Sequence, residues 1–351
     1  MLQQDEQYMQ RCLQLAKSRA GYVAPNPMVG AVLVYENRII GEGYHKKYGE
    51  SHAEVNCIAS VKNDDKHLIE RSTLYVSLEP CSHWGKTPPC SDLIIKNKIP
   101  KVVIGCRDIF TKVYGKGIEK LKAAGVEVIT GVLEKDCIEL NKRFFTFHTK
   151  HRPFIILKWA QTIDKKIATN DNKRLIISNE LTNRLVHKWR AEEAAILVGT
   201  NTIKTDDPLL TNRLWSGKTP VRLVIDKELK LPDDAKVFNN DAATIVFNLH
   251  KKTIDVDSEL SNEIYYYKIE KDKSLIEQIT SACYQLNIQS ILVEGGAKLL
   301  QSFIDEKLYD EIRIITNENM IVENGLNAPV FNGMNKIYTM KLRSDKIDFF
   351  L

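Results

Sequence analysis

Apolar residues recur at helical spacing between Asp5 and Arg19, at Tyr8, Cys12, Leu15 and Ala16. Beyond them the pattern tightens into extended runs. Met28 to Tyr35 and Arg38 to Ile40 predict two strands around a turn at Glu36-Asn37. His52 opens a segment, His-Ala-Glu-Val-Asn-Cys-Ile-Ala, with the pattern of a helix start. Thr73 to Leu78 predicts a strand that ends at Glu79-Pro80-Cys81. Pro88-Pro89 suits the start of another helix, because proline is tolerated where the first amide hydrogens have no partner. Val102 to Gly105 and Val126 to Ile129 predict strands, and Gly117 to Ala124 and Leu133 to Phe145 predict helices. Such alternation argues for a layered α/β sheet.

A break falls at Thr149-Lys150-His151-Arg152-Pro153, which is basic and ends in proline. It divides the chain into residues 1–149 and 152–351. The second part restarts with Phe154 to Leu157 as a strand, a helix from Asn179 to Arg190 and a buried strand from Ala194 to Val198. Val221 to Ile225, Ala243 to Phe247 and Ser290 to Val293 predict more strands, and Tyr265-Tyr266-Tyr267 reads as an edge strand. Two α/β domains fit a length of 351 residues.

Charge and cysteine usage narrow the class. The net charge of +5 is mild, and no dense Lys/Arg block appears, which suits an anionic small substrate better than a nucleic-acid tract. The seven cysteines show no disulfide spacing. The N-terminus lacks the basic and apolar regions of a signal peptide, and no stretch is apolar enough to span a bilayer. A cytoplasmic protein is expected.

The chemistry concentrates in His52-Ala53-Glu54, Glu79-Pro80-Cys81 and Thr87-Pro88-Pro89-Cys90. A lone His-x-Glu is common by chance, and a Pro-Cys pair is usually a loop with a buried thiol. Together, His52, Cys81 and Cys90 make a three-ligand zinc set with one position left for water, the arrangement of a catalytic site. Cys90 would stand at a helix N-terminus, where the dipole favours a thiolate. Glu54 is the expected general acid–base, and not a ligand, in a zinc deaminase of amino-substituted rings. Lys86 and Thr87, a cation and a hydroxyl in a glycine-bearing loop, suit a phosphate.

With Pro25-Asn26-Pro27-Met28-Val29-Gly30, Gly41-Glu42-Gly43-Tyr44-His45 and the Cys81-Ser82-His83-Trp84-Gly85-Lys86-Thr87-Pro88-Pro89-Cys90 segment, the chain resembles the bifunctional riboflavin-biosynthesis deaminase/reductase family. Eight residues separate the two cysteines, whereas most other deaminases of this type have two. The resemblance implies a cytidine-deaminase-like three-layer α/β/α domain followed by a dihydrofolate-reductase-like α/β domain. It implies hydrolytic deamination of diaminohydroxyphosphoribosylaminopyrimidine and then NADPH-dependent reduction of the ribosyl chain to ribityl. One zinc ion and NADPH are the implied cofactors, and a homo-oligomer is the implied assembly. Asn26, His45, His83, Lys86, Thr87 and Asp108 are implied for the first substrate. Phe110 departs from the family's amide after Asp108.

The second half resembles the family at Leu157-Lys158-Trp159-Ala160, Arg190-Ala191, Ile196 to Thr202, Asp206 to Arg213 and Val293-Glu294-Gly295-Gly296. Lys158, Arg174, Arg190, Leu210, Arg213 and Glu294 are implied for the reductase substrate. Ala160, Ile176, Thr202, Asp206, Gly295 and Gly296 are implied for the cofactor. Glycines between a strand and a helix let the backbone approach a dinucleotide phosphate, and the helix start offers amide hydrogens. A tight strand-to-helix turn explains two glycines equally well, and no G-x-G-x-x-G follows a strand. Arg174 and Ile176 stand where the family carries serine and tryptophan. Two other readings compete: a deaminase of nucleic-acid bases, and a C-terminal half that only binds nucleotide or assembles.

Overall fold

The computed structural model describes residues 2–84, 88–109, 115–171, 173–255 and 260–351. They form two compact units, Met1–Lys150 and His151–Leu351.

The first unit runs α1 (Leu2–Lys17), β1 (Gly30–Tyr35), β2 (Arg38–Tyr44), α2 (Ala53–Ala59), β3 (Thr73–Leu78), α3 (Cys90–Lys96), β4 (Lys101–Cys106), α4 (Lys116–Ala123), β5 (Glu127–Thr130), α5 (Glu134–Leu140) and α6 (Lys142–Lys150). The strand order is β2-β1-β3-β4-β5. β1 is antiparallel to β2 and β3, while β3, β4 and β5 are parallel. Alternate residues of each strand face opposite sides. Leu33, Leu74 and Ile104 pack with Cys57, Ile94 and Leu121 from α2, α3 and α4. Val32, Tyr75 and Val103 pack with Met9, Cys12, Cys137 and Phe144 from α1, α5 and α6. Three layers result. Each fully buried apolar side chain contributes about 1.5–3 kcal/mol.

One glycine on β2 sets the height of α2. A Cβ on Gly43 would lie 2.2 Å from the Cys57 nitrogen and 2.4 Å from the Ala53 oxygen, so only glycine lets the helix backbone rest on the strand. The helix that begins after His52 is placed by that contact.

The single helix expected from Leu133 to Phe145 is two helices. They meet at Asn141, whose side chain accepts from the Met28 N–H at 2.8 Å and donates to the Met28 carbonyl at 2.9 Å. Local periodicity continues through the break, but the amide is committed to main chain far away in sequence.

The second unit runs β6 (Phe154–Thr162), β7 (Lys166–Thr169), α7 (Glu180–Glu192), β8 (Ala195–Gly199), α8 (Thr200–Asp206), β9 (Val221–Ile225), β10 (Thr244–Asn248), β11 (Ile264–Lys268), α9 (Leu275–Gln285), β12 (Ser290–Val293), α10 (Ala297–Asp305), β13 (Glu311–Asn317), β14 (Gly325–Asn327), β15 (Lys336–Leu342) and β16 (Asp345–Phe350). The large sheet has the order β11-β10-β9-β8-β12-β6-β13-β16-β15, and β7 pairs with β14 in a separate ribbon. Its strands are parallel from β11 to β13, and β16 and β15 close that side antiparallel. The tyrosine run is the edge strand β11. α9 and α10 cover one face, with Ile279 and Phe303 at its centre. α7 and α8 cover the other through Val186, Trp189 and Ile203.

β13 was hidden from pattern reading because Glu311 and Arg313 look polar. Both are buried, paired at 2.6 Å, and Arg313 stacks on Trp189 at 4.7 Å. Among the described residues no helix is long and apolar enough to cross a membrane.

Asn141→Ala should leave both Met28 main-chain groups without their partner. A loss of about 2–4 kcal/mol is expected, read as a lower urea midpoint for the first unit. An unchanged midpoint would mean that the junction is held by other contacts.

Candidate active sites

His52 is the N-cap of α2, and Glu54 lies in that helix's first turn. Cys90 is the first residue of α3, after Pro89. Cys81 follows β3 by a short span. The His52 Nδ1 atom lies 3.6 Å from Cys81 Sγ and 3.4 Å from Cys90 Sγ. These three donor atoms fall within 4.8 Å of one another, the one cluster of its kind among the described residues. One imidazole nitrogen and two thiol sulfurs form a soft donor set that suits zinc. The residues present therefore fit the expected metal.

The electrostatics agree. Cys81 is held down to about 4, first by the hydrogen bond with Cys90 and then, against burial, by His52. The Cys90 N–H donates to Cys81 Sγ at 3.3 Å. Cys90 keeps the shared proton and is pushed up by that bond and by burial. A bound divalent metal would displace it. Glu54 is 3 % exposed, and burial, helped by the charge of Cys81, pushes its carboxyl up to about 7. It stands outside the donor cluster.

Asn26 and His45 form a relay beside this centre. His45 Nδ1 lies 3.1 Å from the Ser51 carbonyl, which can only accept, and Asn26 Nδ2 lies 3.0 Å from Nε2. Nδ1 thus carries the proton, Nε2 accepts from the amide, and Asn26 Oδ1 remains an acceptor. Burial keeps His45 neutral by lowering its pKa. Its ring meets His52 edge-on at 5.5 Å. Both ring nitrogens of His45 are thus engaged inside the protein, one of them by Asn26.

Asp108 follows β4 and is buried; its backbone N–H donates to the Glu79 carboxylate at 3.3 Å. His83 is exposed, and its neighbour Trp84 is 75 % exposed. Lys86, Thr87 and Phe110 lie outside the described residues.

In the second unit, Glu294 follows β12 and anchors two of the expected cations. Arg190 from α7 grips it as a fork, Nε to Oε1 and Nη2 to Oε2, both at 2.8 Å. Lys158 of β6 approaches Oε2 at 3.5 Å. Burial alone would raise the Glu294 carboxyl, but Arg190 and Lys158 hold it at about 2. Burial lowers Lys158 against the pull of Glu294. Arg213 donates from Nη1 to Thr211 Oγ1 at 2.7 Å, and burial, Arg190 and Arg174 all lower its pKa. Asp206 is raised by burial and feels Arg174 in the opposite sense. Lys158, Arg174, Arg190 and Arg213 thus outnumber the carboxylates that act on them, Glu294, Asp206 and, at Arg213, Asp241, a balance suited to an anion.

Gly295 and Gly296 join β12 to α10. A Cβ on Gly295 would lie 2.9 Å from Thr202 Oγ1 and 3.0 Å from Val198, and Gly296 adopts φ 62° at the N-cap of α10. Thr202, Gly295 and Gly296 are therefore brought together at a helix start. Ala160 shares the strand face of Lys158. Leu210 has its side chain buried in the core, which leaves only its backbone to face a ligand. Arg174 and Ile176 are exposed, Ile176 to 68 %.

Sequence reasoning missed His187. It lies one turn before Arg190 on α7, and its Nδ1 accepts the Arg213 backbone N–H at 2.9 Å. The i, i+3 spacing to Arg190 was the available signal. Glu79 was also read only as part of a motif.

Residues 2–106 match the family model "Cytidine and deoxycytidylate deaminase zinc-binding region", and residues 153–321 match "RibD C-terminal domain". The chain is 41 % identical over 346 residues to the riboflavin biosynthesis protein RibD of Aquifex aeolicus (strain VF5), covering 98 % of this chain and 95 % of that one. It is 34 % identical to the RibD of Actinobacillus pleuropneumoniae, over 98 % and 92 % of the two chains. Among solved structures, a Thermotoga maritima diaminohydroxyphosphoribosylaminopyrimidine deaminase/5-amino-6-(5-phosphoribosylamino)uracil reductase superposes with a TM-score of 0.89 at 36 % identity, over 99 % of each chain. The RibD of Acinetobacter baumannii superposes at 0.88 with 28 % identity, over 100 % of this chain and 99 % of that one.

Burial first, then Arg190 and Arg213, lower the His187 pKa from 6.5 to about 4. The unfolded chain binds this proton near pH 6.5 and the folded chain does not until about pH 4. The associated stability is complete above pH 6.5 and is lost as the pH falls toward 4. His187→Asn keeps an acceptor for the Arg213 amide without titrating. Its thermal midpoint should fall less between pH 7 and pH 4.5 than that of the unmodified protein; equal slopes would remove His187 from the acid response.

Proposed function

The chain belongs to the RibD family of riboflavin biosynthesis proteins, and we infer from its two sites how this deaminase/reductase divides the work. It is a bifunctional enzyme of riboflavin biosynthesis, with a zinc-binding deaminase domain and an NADPH-dependent reductase domain. We assign residues 1–149 to deamination and 152–351 to reduction. The observation that carries the reading is the convergence of His52, Cys81 and Cys90, with buried Glu54 on the same helix start, in a chain that also builds the Arg190–Glu294–Lys158 cluster.

The first reaction is hydrolytic deamination of diaminohydroxyphosphoribosylaminopyrimidine. His52, Cys81 and Cys90 would hold zinc, which supplies the acidity that makes water nucleophilic at neutral pH. Glu54 takes a proton at its carboxylate, delivers it to the ring and assists the departure of ammonia. Its burial supports the role, because a carboxyl near neutrality can both take and give a proton. Asn26 presents its Oδ1 acceptor to a donor group of the pyrimidine, with His45 behind it. His83 and Asp108 flank the ring, and Lys86 and Thr87 meet the ribose phosphate.

The second reaction reduces the ribosyl group to ribityl. NADPH supplies the hydride, and the protein's part is to hold donor and acceptor carbons together. Lys158, Arg174, Arg190, Arg213 and the backbone of Leu210 bind the anionic substrate, and Glu294 fixes the first and third of these side chains. Thr202, Gly295 and Gly296 seat the dinucleotide, with Ala160, Ile176 and Asp206 around it.

The free cysteines and the mild net charge support a cytoplasmic enzyme that does not act on nucleic acid. Ile337 and Tyr338, exposed on edge strand β15, support a homo-oligomer.

The zinc-loaded protein should release ammonia from the diaminopyrimidine with or without NADPH, and oxidise NADPH only when substrate is present. Ammonia release without substrate-dependent oxidation would leave the second unit as a non-catalytic module. Glu54→Gln should retain zinc and lower ammonia release about 10²–10⁴-fold, while NADPH oxidation with the already deaminated pyrimidine stays intact. Removal of zinc by a chelator should silence the first reaction and spare the second. Loss of both activities together would refute the division of labour.

A further inference from the structure

Glu79 is 4 % exposed, and its carboxylate is met by main-chain amides, not by a side-chain cation. Instead it accepts four backbone N–H groups. Oε2 takes those of Asp108 at 3.3 Å and Gly115 at 3.1 Å. Oε1 takes those of Gly117 at 3.0 Å and Ile118 at 3.3 Å. Gly117 and Ile118 belong to the first turn of α4, whose amides have no partner within the helix. A carboxylate there also meets the positive end of the helix dipole. The next residue, Pro80, adds a second contact: a Cβ on Gly117 would lie 2.0 Å from the Pro80 oxygen. Cys81 follows directly.

We propose that Glu79 is a positioning residue for deamination, a clasp that fixes the Asp108 side of the substrate site against the segment bearing a metal ligand. The carboxylate grows from the end of β3, two residues before Cys81, and the groups it holds come from the ends of β4 and the start of α4. Pro80 between them has a fixed φ, so movement of the clasp is passed to Cys81 with little slack. One acceptor-only side chain answers donors from both sides of the 108–115 connection. A glutamine cannot do the same: its NH₂ would face two of the four N–H groups. This inference rests on the reading that Asp108 meets the pyrimidine substrate.

The test compares Glu79→Gln and Gly117→Ala with the unmodified full-length protein, each loaded with zinc, using diaminohydroxyphosphoribosylaminopyrimidine. Metal content, KM and kcat for ammonia release are measured, with NADPH oxidation of the deaminated pyrimidine as the control. Glu79→Gln should keep its zinc and its reductase rate but lose about 10–100-fold in kcat/KM, chiefly through KM. Gly117→Ala keeps the carboxylate but pushes α4 off Pro80, and it should raise KM in the same way. Zinc-replete Glu79→Gln with an unchanged KM would overturn the proposal, as would loss of zinc in proportion to activity at constant KM, which marks a purely structural role. If Glu79→Gln does not fold, Gly117→Ala decides: a raised KM supports the clasp and an unchanged KM overturns it. Absence of ammonia release by the unmodified protein would instead sink the assigned reaction.

Discussion

A carboxylate withdrawn from water without compensation costs several kcal/mol, and both units are arranged by how such groups are answered. Glu294 is answered by two cations. Glu79 is answered by four amides. Asp310 takes both arms of the Arg152 guanidinium and the Ile155 N–H, which fixes where the second unit begins. Glu54 differs from Glu294. Burial and then the Cys81 charge raise its carboxyl, and His52 only partly offsets that rise. The same physical constraint therefore fixes three carboxylates among their partners and leaves Glu54 able to exchange a proton near neutrality.

How much of this could be read from the chain depended on whether the partners were near in sequence. The zinc set was legible because its residue types are chemically distinctive, and the strands around it were legible because their burial is periodic. The split helix at Asn141 was not, since Met28 supplies its reason from the other end of the unit. β13 was not, because burying an Arg–Glu pair erases the apolar signature of a strand. His45 was visible as a candidate, but its place behind Asn26 depends on the Ser51 carbonyl, which no motif records.

The same limit applies to the second site. Lys158, Arg190 and Glu294 were separately visible as charged residues beside strands or on a helix. That one carboxylate holds both cations and offsets only one of their charges follows from the fork geometry at Glu294. His187 adds the point that a helix can place a cation with one residue and hold the neighbouring loop with another, one turn earlier.

The parallel strands give each sheet two unequal ends. Glu79, Cys81 and Asp108 follow the carboxyl ends of β3 and β4, and Glu294 and Thr202 follow those of β12 and β8. Three turns at the amino ends carry none of this chemistry. Gly125 before β5 has open space around its α-carbon, and Asn287 and Lys307 make left-handed turns before β12 and β13. Peptide inserted at such turns lengthens a loop at a cost that grows only slowly with length. Fluorophores, purification handles or fused domains placed there would leave the chemistry-bearing ends untouched, so each sheet is open to engineering at these amino-end turns and closed to it at its carboxyl end.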